Sequence, residues 1–458
     1  MEQRESFMKH VAVIGAGITG LTVAHALKKS GLAVSIFEAA RTPGGVIRTN
    51  RTDGFLLESG PNSILAGGKP WEDLIDSLQL QNEVAAANAS AKKRFIAKAG
   101  QLISLPSSPI GIFSSPFLSA SGKLRFLKEP FVAKKTGDED ESLADFARRR
   151  FGREALDYLF NPFVRGIYAG RPEDLSVRHA FPMLAEAEKS GGSVTAGMLK
   201  KVFWKSGKPW TRKKMVSFNN GMEVLPQRLA HVMGDSLKLE TRVASLAREG
   251  NRWRVGLESG AEPALFDSVV VTVPAHALPG LRIQDVPQQR LESLGRIPYA
   301  SVRIRHLGFR RKDVAHPLDG FGFLVPEREG KIVLGVIFSS TLFPDRAPPD
   351  HVLLTVFAGG AGKPEVMDWG CEKLHDTVLT ELRDYLGDLG RPVLENEVIV
   401  RNAIPQIIPG YGDFIRVMEE CETLASGLFF GGNFRGGVSV LNCVENGLEL
   451  AERVMANG

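Results

Sequence analysis

The spacing of apolar residues predicts a strand–turn–helix–strand unit at the start of the chain. Val11–Ile14 and Ala33–Phe37 are short apolar runs of the kind found in buried parallel strands. Apolar residues recur at helical spacing across 21–27, and Gly31 follows as a helix-ending residue. The turn between the first strand and the helix reads GAGITG, residues 15–20. This order of elements is typical of a dinucleotide-binding βαβ unit.

Three glycines of this turn suit a phosphate site. Gly15 permits the tight bend, Gly17 lets a pyrophosphate approach the backbone, and Gly20 allows close packing of helix and strand. The helix N-terminus offers free N–H groups and a positive dipole end. Glu38 follows the second strand, where a carboxylate can accept hydrogen bonds from ribose hydroxyls and would repel a 2′-phosphate. The sequence therefore predicts a dinucleotide site and disfavours NADP.

Apolar patterns later in the chain predict further strands and helices. Ser268–Pro274 is a buried strand, and a strand at 428–433 leads through a glycine turn into a last helix. Helical spacing also occurs at 70–83, 142–160, 180–205 and 372–386. The runs 299–309, 321–325, 331–338 and 352–357 predict an antiparallel sheet that roofs an apolar cavity.

Composition narrows the class of protein. A chain of 458 residues suggests two or three domains with a sizeable core. Its net charge of +5 could favour anionic membrane surfaces or substrates, but is too small to indicate nucleic acid. Cys371, Cys421 and Cys443 lack metal or CxxC spacing, which predicts reduced thiols, a cytoplasmic setting and no metal site. We expect no signal peptide and no membrane span, because no suitable apolar run exists.

Several longer motifs resemble the flavin amine-oxidase superfamily and, within it, the protoporphyrinogen oxidases. They are EAARTPGG from Glu38, ESGPNS from Glu58, NPFVRGIYAGRPEDLS from Asn161, FGFLVP from Phe321, LGVIFSSTLFPDRAP from Leu334, TVFAGG from Thr355 and LFFGGNFRGGVSVLNCVENG from Leu428. The resemblance runs the length of the chain. It implies an α/β fold with an FAD-binding Rossmann-like domain, a mixed-sheet substrate domain and a helical membrane-docking domain.

The resemblance and the chain breaks together suggest domain limits. The FAD-binding domain would comprise residues 1–90, 215–295 and 405–458. Residues 91–210 would form the helical domain, which ends at the break Ser206–Pro209, and residues 296–404 the substrate-binding domain.

The resemblance also implies non-covalent FAD in place of NAD. No cysteine occurs in 402–410, where covalent attachment would be expected. Thr42 stands where the family usually has a basic residue, so Arg48 or backbone groups would have to neutralise the phosphates. The implied cofactor-binding residues are Gly15, Gly17, Ile18, Thr19, Gly20, Glu38, Ala39, Gly44, Gly45, Gly60, Pro61, Asn62, Val243, Gly432, Val438 and Val440.

The implied reaction is oxidation of protoporphyrinogen IX to protoporphyrin IX, with dioxygen as acceptor. Arg94 would pair with a propionate of the substrate, because a guanidinium fork suits a carboxylate. Asn62 would orient the macrocycle or assist an imino–enamine shift. The motifs contain no histidine, and the sequence identifies no general base. The implied substrate-contacting residues are Gly166, Leu324, Ile337 and Phe357.

The segment Pro106–Pro130 suggests contact with a membrane surface. It is apolar and broken by proline and serine, and it carries Phe113, Phe117, Phe126 and three cations. Such a stretch can lie at a bilayer interface, although a core segment under a lid is an alternative. We therefore expect a cytoplasmic chain that is peripheral on the inner membrane, and a homodimer is a further expectation.

Three other functions remain open at this point. Coproporphyrinogen III has four propionates on the same ring, so its cavity would carry extra basic residues. An amine or amino-acid oxidase would often place a lysine near the flavin. A non-enzymatic FAD protein could simply chaperone a tetrapyrrole on the membrane.

Overall fold

The computed structural model describes residues 9–106, 111, 115–204, 213–260 and 264–457. Phe113 of the proline-rich segment and the predicted domain boundary Ser206–Pro209 lie outside these ranges. Across the described ranges, no helix is both long enough and apolar enough to cross a bilayer.

A five-stranded sheet, parallel throughout, forms the first layer of the fold. Its strands are apolar on both sides because both faces are covered, one by helices and the other by a four-stranded sheet together with helices. The predicted strands at the N-terminus, at 268–271 and at 428–430 are confirmed. In spatial order the strands are Leu237–Lys238, Ala33–Phe37, His10–Ile14, Ser268–Val271 and Leu428–Phe430.

The helices Ile18–Lys29 and Val440–Ala456 pack against each other on one face of this sheet. The predicted helix at 70–83 is too long: it spans Lys69–Ser77, because Gln79 has a φ of +54° and turns the chain. The other helices are Ala120–Leu127, Leu143–Phe151, Arg153–Ala155, the π-helical turn Leu156–Phe160, Asn161–Tyr168, Val177–Ala180, Pro182–Gly191, Val194–Trp204, Val224–Met233, Gln288–Gly295, Ser339–Leu342, Cys371–Leu386, Gly412–Leu424 and Asn433–Gly436.

A seven-stranded sheet forms the second layer. It is mixed, because Gly320–Leu324 and Lys93–Lys98 pair in parallel while the other neighbours are antiparallel. One face packs on the helix Cys371–Leu386. In order the strands are Leu394–Pro405, Tyr299–Arg310, His351–Gly359, Val333–Phe338, Gly320–Leu324, Lys93–Lys98 and Gln101–Ser104.

This sheet corrects the sequence prediction in two places. Residues 93–104 were expected in the helical domain 91–210, but they form the two last strands of the sheet. The strand Leu394–Pro405 was not predicted and forms the opposite edge.

Three smaller sheets complete the strands of the described residues. The hairpin Thr49–Thr52 and Phe55–Glu58 leads into the Gly60–Asn62 corner. A three-stranded sheet comprises Ile64–Ala66, Lys214–Phe218 and Val84–Ala86. A four-stranded sheet comprises Ala264–Phe266, Arg252–Leu257, Val243–Glu249 and Arg282–Ile283.

Candidate active site

The first glycine turn has the geometry of a phosphate cradle. Gly15 has a φ of +101°, a conformation that glycine adopts without strain. A side chain at Gly20 would lie 2.0 Å from the carbonyl oxygen of Gly15, so only glycine lets the helix start this close to the strand. A side chain at Gly17 would meet nothing within 4 Å. This open space lies at the helix N-terminus, whose first turn contains Ile18 and Thr19, and it suits a pyrophosphate.

Glu38 lies beside this turn at the carboxyl end of the neighbouring strand. Its Oε2 accepts a hydrogen bond of 2.7 Å from the Ala16 N–H, and its Oε1 accepts one of 2.8 Å from the Ala40 N–H. Its carbonyl oxygen accepts a 2.8 Å hydrogen bond from the N–H of Thr241. The predicted adenosine-end residues Glu38 and Val243 are thereby brought to the same edge of the sheet.

The paired glycines pack on the phosphate turn. The N–H of Gly44 donates a 2.7 Å hydrogen bond to the carbonyl of Ala16. A side chain at Gly45 would lie 3.6 Å from the Cα of Gly17. A side chain at Gly60 would lie 2.1 Å from a backbone oxygen of the segment that follows the paired glycines. The first two predicted flavin-contacting segments and the phosphate turn therefore form one continuous backbone surface.

Arg48 braces the loop that carries the paired glycines. Its Nη2 donates a 2.9 Å hydrogen bond to the carbonyl of Thr42, and its Nη1 lies 3.3 Å from Oε1 of Glu223. Because the guanidinium is committed to these groups, the structure favours backbone N–H groups as the source of phosphate neutralisation.

The C-terminal glycine segment reaches the same edge of the parallel sheet. Gly432 has a φ of +125°, and its N–H donates a 3.1 Å hydrogen bond to Oδ1 of Asn446. Oγ of Ser439 accepts a 3.1 Å hydrogen bond from the Asn442 N–H and caps the helix Val440–Ala456. The predicted cofactor positions 438 and 440 therefore flank a helix N-terminus, which favours negative charge on a bound ligand.

A half-buried acid that the sequence prediction missed supports this segment. Glu422 lies on the unpredicted helix Gly412–Leu424 and accepts a 2.8 Å hydrogen bond from the N–H of Phe430. Arg435 pairs with Glu422 and donates a 2.9 Å hydrogen bond to the carbonyl of Phe430. The ion pair clamps the strand end just before the glycine turn. In the sequence, the position of Arg435 inside the NFRGG motif is the one signal that could have predicted this ion pair.

One face of the seven-stranded sheet collects most of the predicted substrate residues. Partners in adjacent strands project to the same face, and residues two apart along a strand share it. The strand pairings define two consecutive rows on this face, Arg94, Gly322, Ile337 and Thr355 in one row, and Leu324, Gly335 and Phe357 in the next.

The predicted substrate-contacting residues of these strands also keep solvent-exposed surface. Ile337 is the only residue of Val333–Phe338 that is not buried, and Phe357 is the only one of His351–Gly359 beyond its first residue. Leu324 is half-buried at the end of its strand. These apolar side chains therefore border a space that the protein does not fill.

Gly166 and Arg94 lie at the border of this face. A side chain at Gly166 would lie 2.6 Å from Cδ2 of Leu324, so the helix backbone touches the apolar face directly. Arg94 is exposed, with its Cζ 5.7 Å from the ring centroid of Phe321. No acid within the described ranges forms an ion pair with it. Its guanidinium is available to a carboxylate.

A small cavity lies between this face and the Gly60–Asn62 corner. Asn62 is buried, and its Nδ2 donates a 3.1 Å hydrogen bond to the carbonyl of Gly60 on the other side of Pro61. The cavity is lined by Leu56, Glu58, Asn62, Ile337, Ser339, Leu342, Phe343 and Arg346.

Glu58 is the acid in this lining. Its Oε2 accepts a 2.7 Å hydrogen bond from Oγ1 of Thr49, and its Oε1 accepts one of 2.9 Å from the N–H of Met222. Nη2 of Arg346 lies 3.8 Å from Oε1. Burial raises the pKa of the Glu58 carboxyl to about 7, although both hydrogen bonds and the charge of Arg346 lower it.

Comparison with known proteins identifies this arrangement. Residues 18–455 match the model of the flavin containing amine oxidoreductase family. Protoporphyrinogen oxidase 2 of Arabidopsis thaliana is 34% identical, with 98% of this chain and 94% of that protein covered. Coproporphyrinogen III oxidase of Bacillus subtilis is 28% identical, with 96% of each chain covered.

Solved structures agree with the fold. A provisionally named protoporphyrinogen oxidase from Exiguobacterium sp. 255-15 superposes with a TM-score of 0.80 at 25% identity, covering 98% of this chain and 99% of that one. Putrescine oxidase bound to putrescine gives a TM-score of 0.70 at 19% identity, with 98% and 99% covered. The glycine cradle fits the flavin cofactor FAD, which this chain binds. The chain belongs to the family of flavin-containing amine oxidoreductases.

Proposed function

We propose that this chain oxidises protoporphyrinogen IX to protoporphyrin IX, with non-covalent FAD as cofactor and dioxygen as the final acceptor. The observation that carries the proposal is the open apolar face, where Leu324, Ile337 and Phe357 keep exposed surface in strands whose residues are mostly buried. A flexible apolar macrocycle requires such a wall. The two protoporphyrinogen and coproporphyrinogen oxidase relatives support a porphyrinogen as the substrate class.

The chain's own residues would bind and orient the substrate. FAD, when bound, supplies the acceptor for a hydride from a bridging carbon of the ring. Arg94 binds one propionate at the rim, and the apolar side chains exclude water from the ring. Asn62 lies between the flavin-contacting corner and this wall, where its amide can hold the face of the macrocycle. The Gly166 backbone borders the same wall at Leu324.

The distribution of cations favours two propionates over four. Lys98 lies four residues after Arg94 on the same strand and projects to the same face. Its Nζ donates a 2.8 Å hydrogen bond to the carbonyl of Phe117 and lies 3.1 Å from Oε1 of Glu154. Because this ammonium is already neutralised, Arg94 is the cation of this strand face that forms no ion pair within the described residues and can bind a substrate carboxylate.

The test is anaerobic mixing of the purified FAD-loaded protein with each porphyrinogen, followed by flavin absorbance. We expect bleaching by protoporphyrinogen to be faster than bleaching by coproporphyrinogen at equal concentration. The reverse order would favour coproporphyrinogen oxidation, which is the activity in the name of the Bacillus subtilis relative. If neither porphyrinogen bleaches the flavin but a primary amine does, the chain is an amine oxidase.

We also propose that the helical region touches a membrane. Leu124, Leu127 and Phe131 are exposed, Phe131 to 89%, and we call these three residues the docking surface. Lys123 and Lys128 flank them in sequence, and such a mixture of apolar and cationic side chains suits an anionic bilayer interface.

A further inference from the structure

A buried carboxyl group beside the substrate face has no role in the function described above. Glu58 ends the strand Phe55–Glu58, and its backbone carbonyl accepts a 3.0 Å hydrogen bond from Nε2 of His306. His306 pairs in register with Thr355, which in turn pairs with Ile337. His306 therefore belongs to the same row of side chains as Ile337 and Arg94. This hydrogen bond anchors Glu58 on the substrate side of the sheet.

The side chain of Glu58 shares a cavity with the predicted reaction site. Asn62 and Ile337 line the same space, which is large enough for a water molecule. Among the residues that line it in the described part of the chain, Glu58 is the one acid and Arg346 the one cation. Arg346 is buried, and its guanidinium donates hydrogen bonds of 2.8 and 2.9 Å to Oγ of Ser217 and the carbonyl of Phe218. The arginine is thus a fixed cation, and Glu58 is the group that can exchange a proton.

The charged groups around Glu58 set its proton affinity. Arg346 favours the carboxylate, whereas Glu223, which pairs with Arg48, disfavours it. His306 contacts the backbone of Glu58 and not its carboxylate, and burial lowers the pKa of His306 and keeps it neutral. Desolvation is the largest influence and brings the pKa of Glu58 to about 7. A group with this pKa can both accept and release a proton near neutral pH.

Oxidation of a porphyrinogen needs such a group. When a bridging carbon loses a hydride, positive charge develops on a pyrrole nitrogen, and its N–H bond becomes acidic. An apolar chamber offers this proton no bulk water. A carboxylate nearby would stabilise the developing cation and then accept its proton.

We propose that Glu58 is the proton acceptor of the porphyrinogen oxidation and works through a water molecule in the cavity that it shares with Asn62. In each two-electron step the ring would lose one hydride to FAD and one N–H proton, which forms an O–H bond on Glu58. Reduction of one dioxygen to hydrogen peroxide consumes the same two electrons and both hydrogens, and it returns Glu58 to the carboxylate. After the third step one proton of the remaining methylene bridge moves to a ring nitrogen, so that the porphyrin has four CH bridges and two N–H groups. The proposal rests on the porphyrinogen oxidation proposed above.

The experiment compares Glu58→Gln with Glu381→Gln by anaerobic flavin reduction across pH 5–9, where the lower and upper limits are about two units from the pKa of Glu58. Glu381 is a matched control. It is also buried with a raised pKa, and it accepts hydrogen bonds of 3.0 Å from the N–H groups of Ile332 and Val333, outside the cavity. In wild type and Glu381→Gln the rate should rise through about pH 7. Glu58→Gln should be slower by about 10²-fold or more and lack the inflection.

Two further measurements keep the outcome unambiguous. An infrared titration of the protein without substrate should show a carboxylic-acid band that forms as the pH falls through about 7 and is missing in Glu58→Gln. If Glu58→Gln loses FAD, Thr49→Val replaces it. That change removes a hydrogen bond that favours the carboxylate, so the inflection should move to higher pH.

The outcomes separate this inference from the proposed function. Flavin that is reduced normally in Glu58→Gln with an unchanged pH profile overturns the role of Glu58 but not the oxidation. An inflection that stays in place in Thr49→Val, or a missing infrared band in wild type, does the same. A wild-type flavin that no porphyrinogen reduces overturns both.

Discussion

At the scale of single residues, the site depends on a cation that forms no ion pair and on a glycine whose position has no room for a side chain. Arg94 projects from the strand Lys93–Lys98 and forms no ion pair in the described part of the chain, whereas Lys98 on the same face is neutralised by Glu154. Gly166 has no side chain where a side chain would strike Leu324. Each of these features can be altered by one substitution whose effect on substrate binding differs from its effect on stability.

Replacing Arg94 with alanine should weaken binding of the porphyrinogen. A charge-assisted hydrogen bond contributes about 1.5–3 kcal/mol, so KM should rise about 10- to 150-fold while kcat changes little. Arg94→Lys should recover part of the loss, because an ammonium keeps the charge but not the bidentate geometry. Arg401→Ala is the control, since Arg401 is exposed on the far edge strand and lies 3.8 Å from Asp368. Equal KM values for Arg94→Ala and wild type would refute the propionate contact.

Adding one methyl group at Gly166 should narrow the chamber without unfolding the helix. The new Cβ would lie 2.6 Å from Cδ2 of Leu324 and push that side chain toward the substrate. Helix propensity favours alanine over glycine by about 1 kcal/mol, so Tm should not fall by more than a few degrees. KM should rise about tenfold, because one methylene group in an apolar substrate pocket contributes about 1–3 kcal/mol to discrimination.

The double variant Gly166→Ala/Leu324→Ala decides whether Leu324 transmits this effect. The double variant should bring KM most of the way back to the wild-type value, because the smaller side chain at position 324 makes room for the methyl group. Additive losses in the double variant would mean that the two positions act separately.

At the scale of elements, the sequence predicted what local pattern determines. The buried parallel strands at 11–14 and 33–37 and the last helix have strong apolar periods and clear glycine boundaries. The helix Gly412–Leu424 was missed because only Met418 and Cys421 are buried on it. The strand Leu394–Pro405 was missed because it is a half-exposed edge strand with charged residues.

Two of the partners of Glu58 could not have been predicted from local pattern. Its partners Met222 and Arg346 are distant in sequence, 164 residues away in the case of Met222. Only the tertiary fold shows that the carboxyl is buried and that it faces the cavity of Asn62. The contacts of Glu422 could not be predicted either, because they depend on the helix Gly412–Leu424, which the sequence pattern did not predict.

The helix Ala120–Leu127 and the turn after it should mediate binding to anionic membranes. The variant Leu124→Asp/Phe131→Asp places two carboxylates on the docking surface, which should repel anionic lipid and remove buried apolar area. In co-sedimentation with vesicles of phosphatidylglycerol and phosphatidylcholine, bound protein should fall at least tenfold. Oxidation of detergent-dissolved substrate should stay unchanged. Leu424→Asp is the control, because Leu424 is also about half exposed (49%) but lies on another helix. Vesicle binding that survives in the docking-surface variant would exclude this surface.

At the scale of the whole molecule, the flavin site joins distant parts of the chain. The phosphate turn follows the strand His10–Ile14, the next strand brings Glu38, and the glycine segment after Leu428–Phe430 closes the edge. A ligand that contacts all of these segments at once binds the folded chain and not the unfolded one. FAD should therefore act as a structural component of the fold as well as its redox group.

FAD should accordingly stabilise the apoprotein in proportion to its concentration. The free energy of unfolding should increase by about 2.7 kcal/mol at a free FAD concentration of 100 Kd, as measured by urea denaturation with and without added FAD. Gly17→Val gives the sharpest test. A side chain at Gly17 meets no protein atom within 4 Å, so the apoprotein should keep its stability to within about 1 kcal/mol, yet the side chain would occupy the pyrophosphate position. The variant should therefore unfold like wild-type apoprotein and gain nothing from FAD. A Gly17→Val protein that FAD stabilises as strongly as wild type would show that the cofactor does not lie against this turn.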